Sequence, residues 1–296
     1  MNYNWIALDG KASIDEKEIR FIPEIANDQQ LRADKTPACG LASNIEFENG
    51  EIIFKVKIND NSTRCQIVLN RGFEEVFIGI NTGNAAFGII KLVQNTFVNL
   101  DSSGDPNNLD FSKPFLIKIK VIGSIISLYI NEVLVAKTSH IIKKSYINLF
   151  ITGINEAVIF DFIVNQTKPC AFVVMQFTDE YNTLYDEVIK PICQEKGLDC
   201  IRADDFFSST PIITDIVNSI KTSSIIIADI TPNNPNVFYE IGYAHAIDKP
   251  TILLCDRKRD KLPFDISGFR TLFYDNTISG KSKIEENLKK FLDNSI

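Results

Sequence analysis

The chain is poor in the residues that most metal and acid-base sites draw on. It has two histidines, His140 and His245, in 296 residues, too few for a multi-histidine metal centre or a Ser-His-Asp triad with residues to spare. Its six cysteines, Cys39, Cys65, Cys170, Cys193, Cys200 and Cys255, form no Cys-x-x-Cys pair, so neither a zinc knuckle nor a disulfide frame is indicated and buried thiols are expected. No apolar run is long enough to span a bilayer, and the first twenty residues show neither a basic leader nor a cleavage pattern, so a cytoplasmic protein without a membrane partner is expected. Basic charge is also short: a net charge of −7 and a pI near 5.1 argue against a surface that grips nucleic acid by its phosphates.

What is present is a chain that is 45% hydrophobic and long enough for two cores. Up to about residue 165, short β-rich runs alternate with turns: GEIIFKVKI, RCQIVLN, EVFIGI, FLIKIKVIG, SIISLYI, VLVAKT, YINLFITG and AVIFDFIV. The alternation Ile117-Lys118-Ile119-Lys120-Val121 sets one face on a core and the other in water. Two stacked antiparallel sheets are expected. The polar stretch 165–169, NQTKP, reads as a linker.

Beyond it, strands apolar on both faces alternate with amphipathic helices, from CAFVVMQF to the last helix SKIEENLKKFLDNS. That pattern predicts a five-stranded parallel sheet covered on both sides, wound like flavodoxin. Domains of 1–165 and 166–296 follow.

Ligands of such sheets collect at the carboxyl ends of the strands. Those ends supply Met175, Gln176 and Phe177, then Asp204 and Asp205, then Asp229 and Asp256. Asn234 suits a helix cap and Pro235 a first turn, which puts Glu240 in the second turn, beside the pocket. Gly242 reads as a packing glycine, His245 as a core histidine, Trp5 as a core residue, and Arg257-Lys258-Arg259 as a solvated loop able to meet a phosphate.

FLIKIKVIGSIISLYINEVLVAKT and INLFITGINEAVIFDFIV resemble the concanavalin-like, or laminin-G-like, jelly-roll superfamily. That likeness implies a jelly-roll sandwich, a fold that often binds glycans, with a protein or glycan as a candidate ligand.

FVVMQF (172–177), Asp215-Ile216-x-x-x-Ile220 and IIIADITPNNPNVFYEIGYAHAIDKPTILL (225–254) resemble the nucleoside 2-deoxyribosyltransferase superfamily and its TIR and TIR-like relatives. The likeness implies cleavage at an N-glycosidic bond of NAD, a nucleotide or a nucleoside, through an oxocarbenium-like sugar cation that a carboxylate stabilises or attacks. Glu240 matches the catalytic glutamate and Asp229 an acidic partner. Gln176 and Phe177 fall where the first loop meets base or ribose, Asp204 and Asp205 lie beside them, and Tyr239 or Phe206 offers a ring for the base. NPNVFY replaces the Gly-Thr of the classical transferases, which favours a TIR-like hydrolase. The resemblance further implies a homo-oligomeric bacterial effector of antiviral defence, in which the sandwich serves as sensor or assembly module, with NAD as substrate and no cofactor or metal. A nucleotide-binding sensor without turnover is the alternative.

Overall fold

The computed structural model describes residues 3–24, 36–205, 212–259 and 261–295. The chain divides into two compact units, one comprising Met1–Val121 with Ile125–Thr167, the other Ile122–Ser124 with Lys168–Ile296.

The first unit is built of β-strands, with one 3-10 turn at Pro106–Asn108 among its described residues. In chain order its strands are β1 (Trp5–Asp9), β2 (Ala12–Ile14), β3 (Glu18–Phe21), β4 (Ala38–Phe47), β5 (Gly50–Lys57), β6 (Arg64–Leu69) and β7 (Val76–Ile80). They continue as β8 (Phe87–Val93), β9 (Thr96–Ser103), β10 (Phe115–Ile122), β11 (Ile125–Ile130), β12 (Val133–Ser139), β13 (Ser145–Thr152) and β14 (Ala157–Gln166). One antiparallel sheet has the order β1-β4-β13-β6-β7-β8-β9 and the other β12-β11-β10-β5-β14-β3-β2. Their inner faces close on one core containing Leu41, Ile67, Ile78 and Leu149 from the first sheet and Phe54, Ile117, Ile119 and Ile159 from the second. Strand β10 shows the cause: Phe115, Ile117, Ile119 and Val121 are buried while Lys118 and Lys120 turn outward to Glu132 and Glu51. Gly50 opens β5 at φ +127°, where a Cβ would lie 2.1 Å from the Asn165 carbonyl, so only glycine fits that turn.

The expected sandwich is present, with more strands than the apolar runs mark. β1 and β2 are short and β9 is mostly exposed, so they lack the clean inside-outside alternation that identifies a strand, while β3 alternates over four residues only. The linker expected at 165–169 is shorter, because Asn165 and Gln166 pair with Glu51 and Gly50 as the end of β14.

The second unit carries the five-stranded parallel sheet that the alternating pattern predicts. Its strands are β15 (Cys170–Val174), β16 (Asp199–Arg202), β17 (Ile225–Asp229), β18 (Thr251–Asp256) and β19 (Thr271–Tyr274), in the order β16-β15-β17-β18-β19. This is the flavodoxin-like order, and the chain reverses direction across β15. Helix α1 (Asp179–Leu184), a π-helical turn at Tyr185–Ile189, α2 (Lys190–Glu195) and α6 (Ile278–Ser295) contribute to one core with Ala171, Val173, Ile225 and Ile227. Helices α3 (Ile212–Thr222), α4 (Pro235–Ala246) and α5 (Phe264–Ser267) contribute to the other, with Phe172, Val174, Ile226 and Ala228. Alternate residues of each strand thus serve opposite layers.

Candidate active site

A cavity of about 730 Å³ opens where β15 and β16 end and α3 and α4 begin. It lies where the sheet order reverses, the usual ligand position in this architecture.

Glu240 is placed there by helix α4. The Asn234 side chain accepts from the amide of Asn236 at 3.0 Å, and Pro235 occupies the first helical position, as the sequence predicts. Val237, Glu240, Ile241 and Ala244 form the buried face of the helix, so the carboxylate sits inside an apolar stripe of i, i+3 and i+4 spacing. Glu240 is only 9% exposed, borders the cavity and has no hydrogen-bond partner among the described residues. Desolvation pushes its carboxyl up to about 7.

Gln176 and Phe177 border the same space from the end of β15, and Asp204 from the turn after β16. Phe177 is 50% exposed and Tyr239, at the rim on α4, 55%, so both rings keep a free surface. Beside them Arg202 is buried. It donates from Nε to Asp204 Oδ1 at 2.6 Å and from Nη1 to Asn182 Oδ1 at 2.9 Å, with Nη2 on Asp204 Oδ2. Its guanidinium lies 5.2 Å from the centre of the Phe177 ring and 4.4 Å from that of Tyr185. Arg202 therefore fixes both Asp204 and Phe177. Asp215 and Ile213 of α3 complete this wall. The side chain of Asp205 and the whole of Phe206 lie outside the described residues.

Asp229 is not brought to the cavity. It shares the strand face of Ile225 and Ile227 and is wholly buried. There its Oδ2 accepts from the Tyr274 hydroxyl at 2.8 Å and its Oδ1 from the Thr231 amide at 2.9 Å. Desolvation outweighs those bonds, and with the neighbouring Asp256 carboxylate it pushes the Asp229 carboxyl up to about 6. Asp256 is likewise buried and accepts from the Lys258 amide at 2.9 Å.

Three other expectations change. Arg259 is not a solvated loop residue: its Nη1 donates to the carbonyls of Ile230, Thr231 (3.0 Å) and Pro232 (3.2 Å), clamping the loop that leads into α4. Its sequence context held no signal for this, because the acceptors are backbone carbonyls 27 to 29 positions away. Gly242 is exposed, and a Cβ built on it would meet nothing within 4 Å, so it is not the contact that lets α4 approach the sheet. His245, half-buried, stacks on Phe269 with ring centres 4.0 Å apart, and its imidazole is held below its usual pKa by desolvation.

The sandwich has its own cavity of about 760 Å³, bordered by Tyr3, Trp5, Phe160 and Phe162 among charged side chains. Trp5 is nearly buried and meets Phe162 edge-on at 5.2 Å, the core role expected of it. Among the described residues, no group of three or more His, Cys, Asp and Glu side chains is placed to hold a metal ion, and no helix is long and apolar enough to cross a membrane.

No family model matches the chain, and no curated protein does. Among solved structures, a carbohydrate-binding module from Bacillus subtilis, CBM66, is similar at 10% identity over 53% of this chain and 92% of its own, with a TM-score of 0.43. A Bacillus subtilis protein of unknown function with a galectin-like fold is 13% identical over 56% of this chain and 89% of its own, at 0.39. The β-glucanase of Bacillus licheniformis is 10% identical over 55% and 92%, at 0.37. Likenesses of this size carry no argument about what the chain binds or does.

Proposed function

We propose that the α/β unit hydrolyses the N-glycosidic bond of NAD, a nucleotide or a nucleoside, with Glu240 as the carboxylate that meets the sugar cation. One observation carries this reading: Glu240 borders a large cavity, nine-tenths buried and unpartnered among the described residues, with its carboxyl raised to about 7. A carboxylate left without donors in a desolvated cleft gives up stability unless a bound group compensates it. An oxocarbenium-like sugar is such a group. As the bond breaks, its electron pair leaves with the base nitrogen. Water then supplies the hydroxyl at C1′ and releases a proton, either directly or after a glycosyl-Glu240 intermediate.

Gln176, Asp204 and Asp205 are assigned to the sugar hydroxyls and Phe177, Tyr239 and Phe206 to the base, with Asp229 supporting the loop from the far side of the sheet. The wider role implied by the TIR-like resemblance, an oligomeric antiviral effector with the sandwich as its sensor or assembly module, rests on this activity. A nucleotide-binding sensor without turnover is the second reading, favoured by the position of Asp229 outside the cavity lining.

The test is chromatography of products from concentrated protein and its Glu240→Gln variant, incubated with NAD and a panel of nucleosides and nucleotides. Free base from the wild type alone supports the hydrolase. Binding without release by either protein supports the sensor.

A further inference from the structure

The sandwich cavity of about 760 Å³ lies beside an irregularity in an interior strand. Strand β14 pairs with β3 only over Ala157–Phe160, and its register against β5 shifts between Phe160 and Ile163, with Asp161 at φ +54° in the bulge. A bulge re-aims the side chains around it. Here Phe162 turns inward and stacks on Phe54, while Tyr3 and Trp5 meet it edge-on with ring centres 6.1 Å and 5.2 Å away. The Tyr3 hydroxyl accepts from the Val164 amide at 3.2 Å, beyond the reach of β3. Tyr3, Trp5, Phe160 and Phe162 thus give a cavity of small-molecule size a wall of rings.

The charges that border this cavity are largely engaged. Asp15 accepts from the amides of Lys17 at 2.7 Å and Glu18 at 2.9 Å, Glu18 pairs with Arg20 at 2.7 Å, Asp161 pairs with Lys55 at 2.9 Å, and Lys57 donates to the Phe111 carbonyl. Glu16 and Lys17, exposed and opposite in sign, are the lining charges without a side-chain partner among the described residues. The lining therefore selects neither sign of charge, and it holds few of the free donors and acceptors that a sugar's hydroxyls need. Trp5 differs from the rest. It is nine-tenths buried, and its indole N–H, a donor only, has no acceptor among the described residues. A near-buried donor left without a partner costs stability that a bound acceptor restores.

We propose that the sandwich cavity binds an uncharged, mainly aromatic molecule that carries a hydrogen-bond acceptor, with the acceptor on the Trp5 N–H and the aromatic body against Tyr3 and Phe160. Both of those rings are half-buried and keep surface for it. The site lies wholly within the first unit, so it stands apart from the role given to Glu240.

Equilibrium dialysis of the full chain tests this with acetylnaphthalene, its isopropenyl analogue of the same shape without the carbonyl, naphthoate and a glucose trisaccharide. The ketone is expected to bind. Trp5→Phe keeps a ring in the core and removes the N–H, so it is expected to weaken the ketone about tenfold and the hydrocarbon by no more than about twofold. Phe160→Ala, at a half-buried position, is expected to weaken both. Trp5 is the one tryptophan of the chain, and its emission in the wild type is expected to be quenched by the ketone with the midpoint found by dialysis, a reading that decides the matter should Trp5→Phe fail to fold. No binding of the ketone would overturn the proposal, as would equal weakening of ketone and hydrocarbon by Trp5→Phe or emission indifferent to the ketone. Tighter binding of naphthoate or of the trisaccharide would overturn it in favour of an anion or a glycan site.

Discussion

The Tyr274 hydroxyl donates to the buried Asp229 carboxylate at 2.8 Å, on the face of the sheet opposite to the one that bears Glu240. Two raised carboxyls, one near 6 and one near 7, therefore belong to different layers, and their effects separate experimentally.

Tyr274→Phe removes a donor from Asp229 and is expected to destabilise the α/β unit by about 1–3 kcal/mol above pH 6, where the carboxylate is ionised. The loss shrinks near pH 4, where the protonated acid no longer depends on that donor. Thermal melts at the two pH values check this, and unchanged ligand affinity would confirm that Tyr274 acts outside the cavity.

Glu240→Gln is expected to raise stability while removing turnover. The folded-state pKa, about 7, lies above the ordinary 4.5, so between those values the folded chain holds more protons than the unfolded one. The stability associated with Glu240 is full below about pH 4.5 and is lost as pH rises through 7. That loss is at most about 3 kcal/mol. The variant should melt above the wild type at pH 8 and level with it near pH 4.5. Equal melting at pH 8 would show that the native carboxylate has a compensating partner.

The same titration sets the pH dependence of the proposed hydrolysis. If ionised Glu240 meets the sugar cation, kcat/KM on a substrate that does not titrate in this range rises with pH, reaches half its plateau near 7, and stays high above it. A rate that falls through pH 7 would instead make Glu240 a proton donor.

Arg259→Lys keeps the charge and loses the guanidinium whose Nη1 reaches three carbonyls of the 230–232 segment while its Nε holds the Lys261 carbonyl. A modest loss of stability, about 1 kcal/mol, is expected together with a larger loss of affinity in the α/β cavity, because the clamped segment leads into α4. Calorimetric titration beside a melt of the same variant separates the two effects.

In the sandwich, Phe54 is wholly buried and stacks on Phe162 with ring centres 5.4 Å apart. Phe54→Ala should cost about 3–5 kcal/mol, read as a lowered melting transition of the sandwich.

The sequence made the two architectures legible because their apolar periods differ, and Asn234, Pro235 and Glu240 could be placed because caps and helical spacing are local. A strand end is not by itself a pocket wall, and Asp229 shows why. Its parity with Ile225 and Ile227, visible in the chain, assigns it to the other face. Arg259 was hidden because its role depends on carbonyls supplied by a distant segment. An exposed strand such as β9 has no alternation to read.

Strand β14 bears on how this chain emerges from synthesis. It lies inside its sheet, paired to β5 on one side and β3 on the other, yet it is the last strand of the sandwich to be made. Until residue 166 is available, β5 and β3 have no neighbour in common, and the inner face that Ile159 and Phe162 cover stays open. Only three residues then separate β14 from β15. A nascent chain that pauses before this point carries an unfinished sandwich with exposed strand edges, the form most prone to pair with another copy of itself.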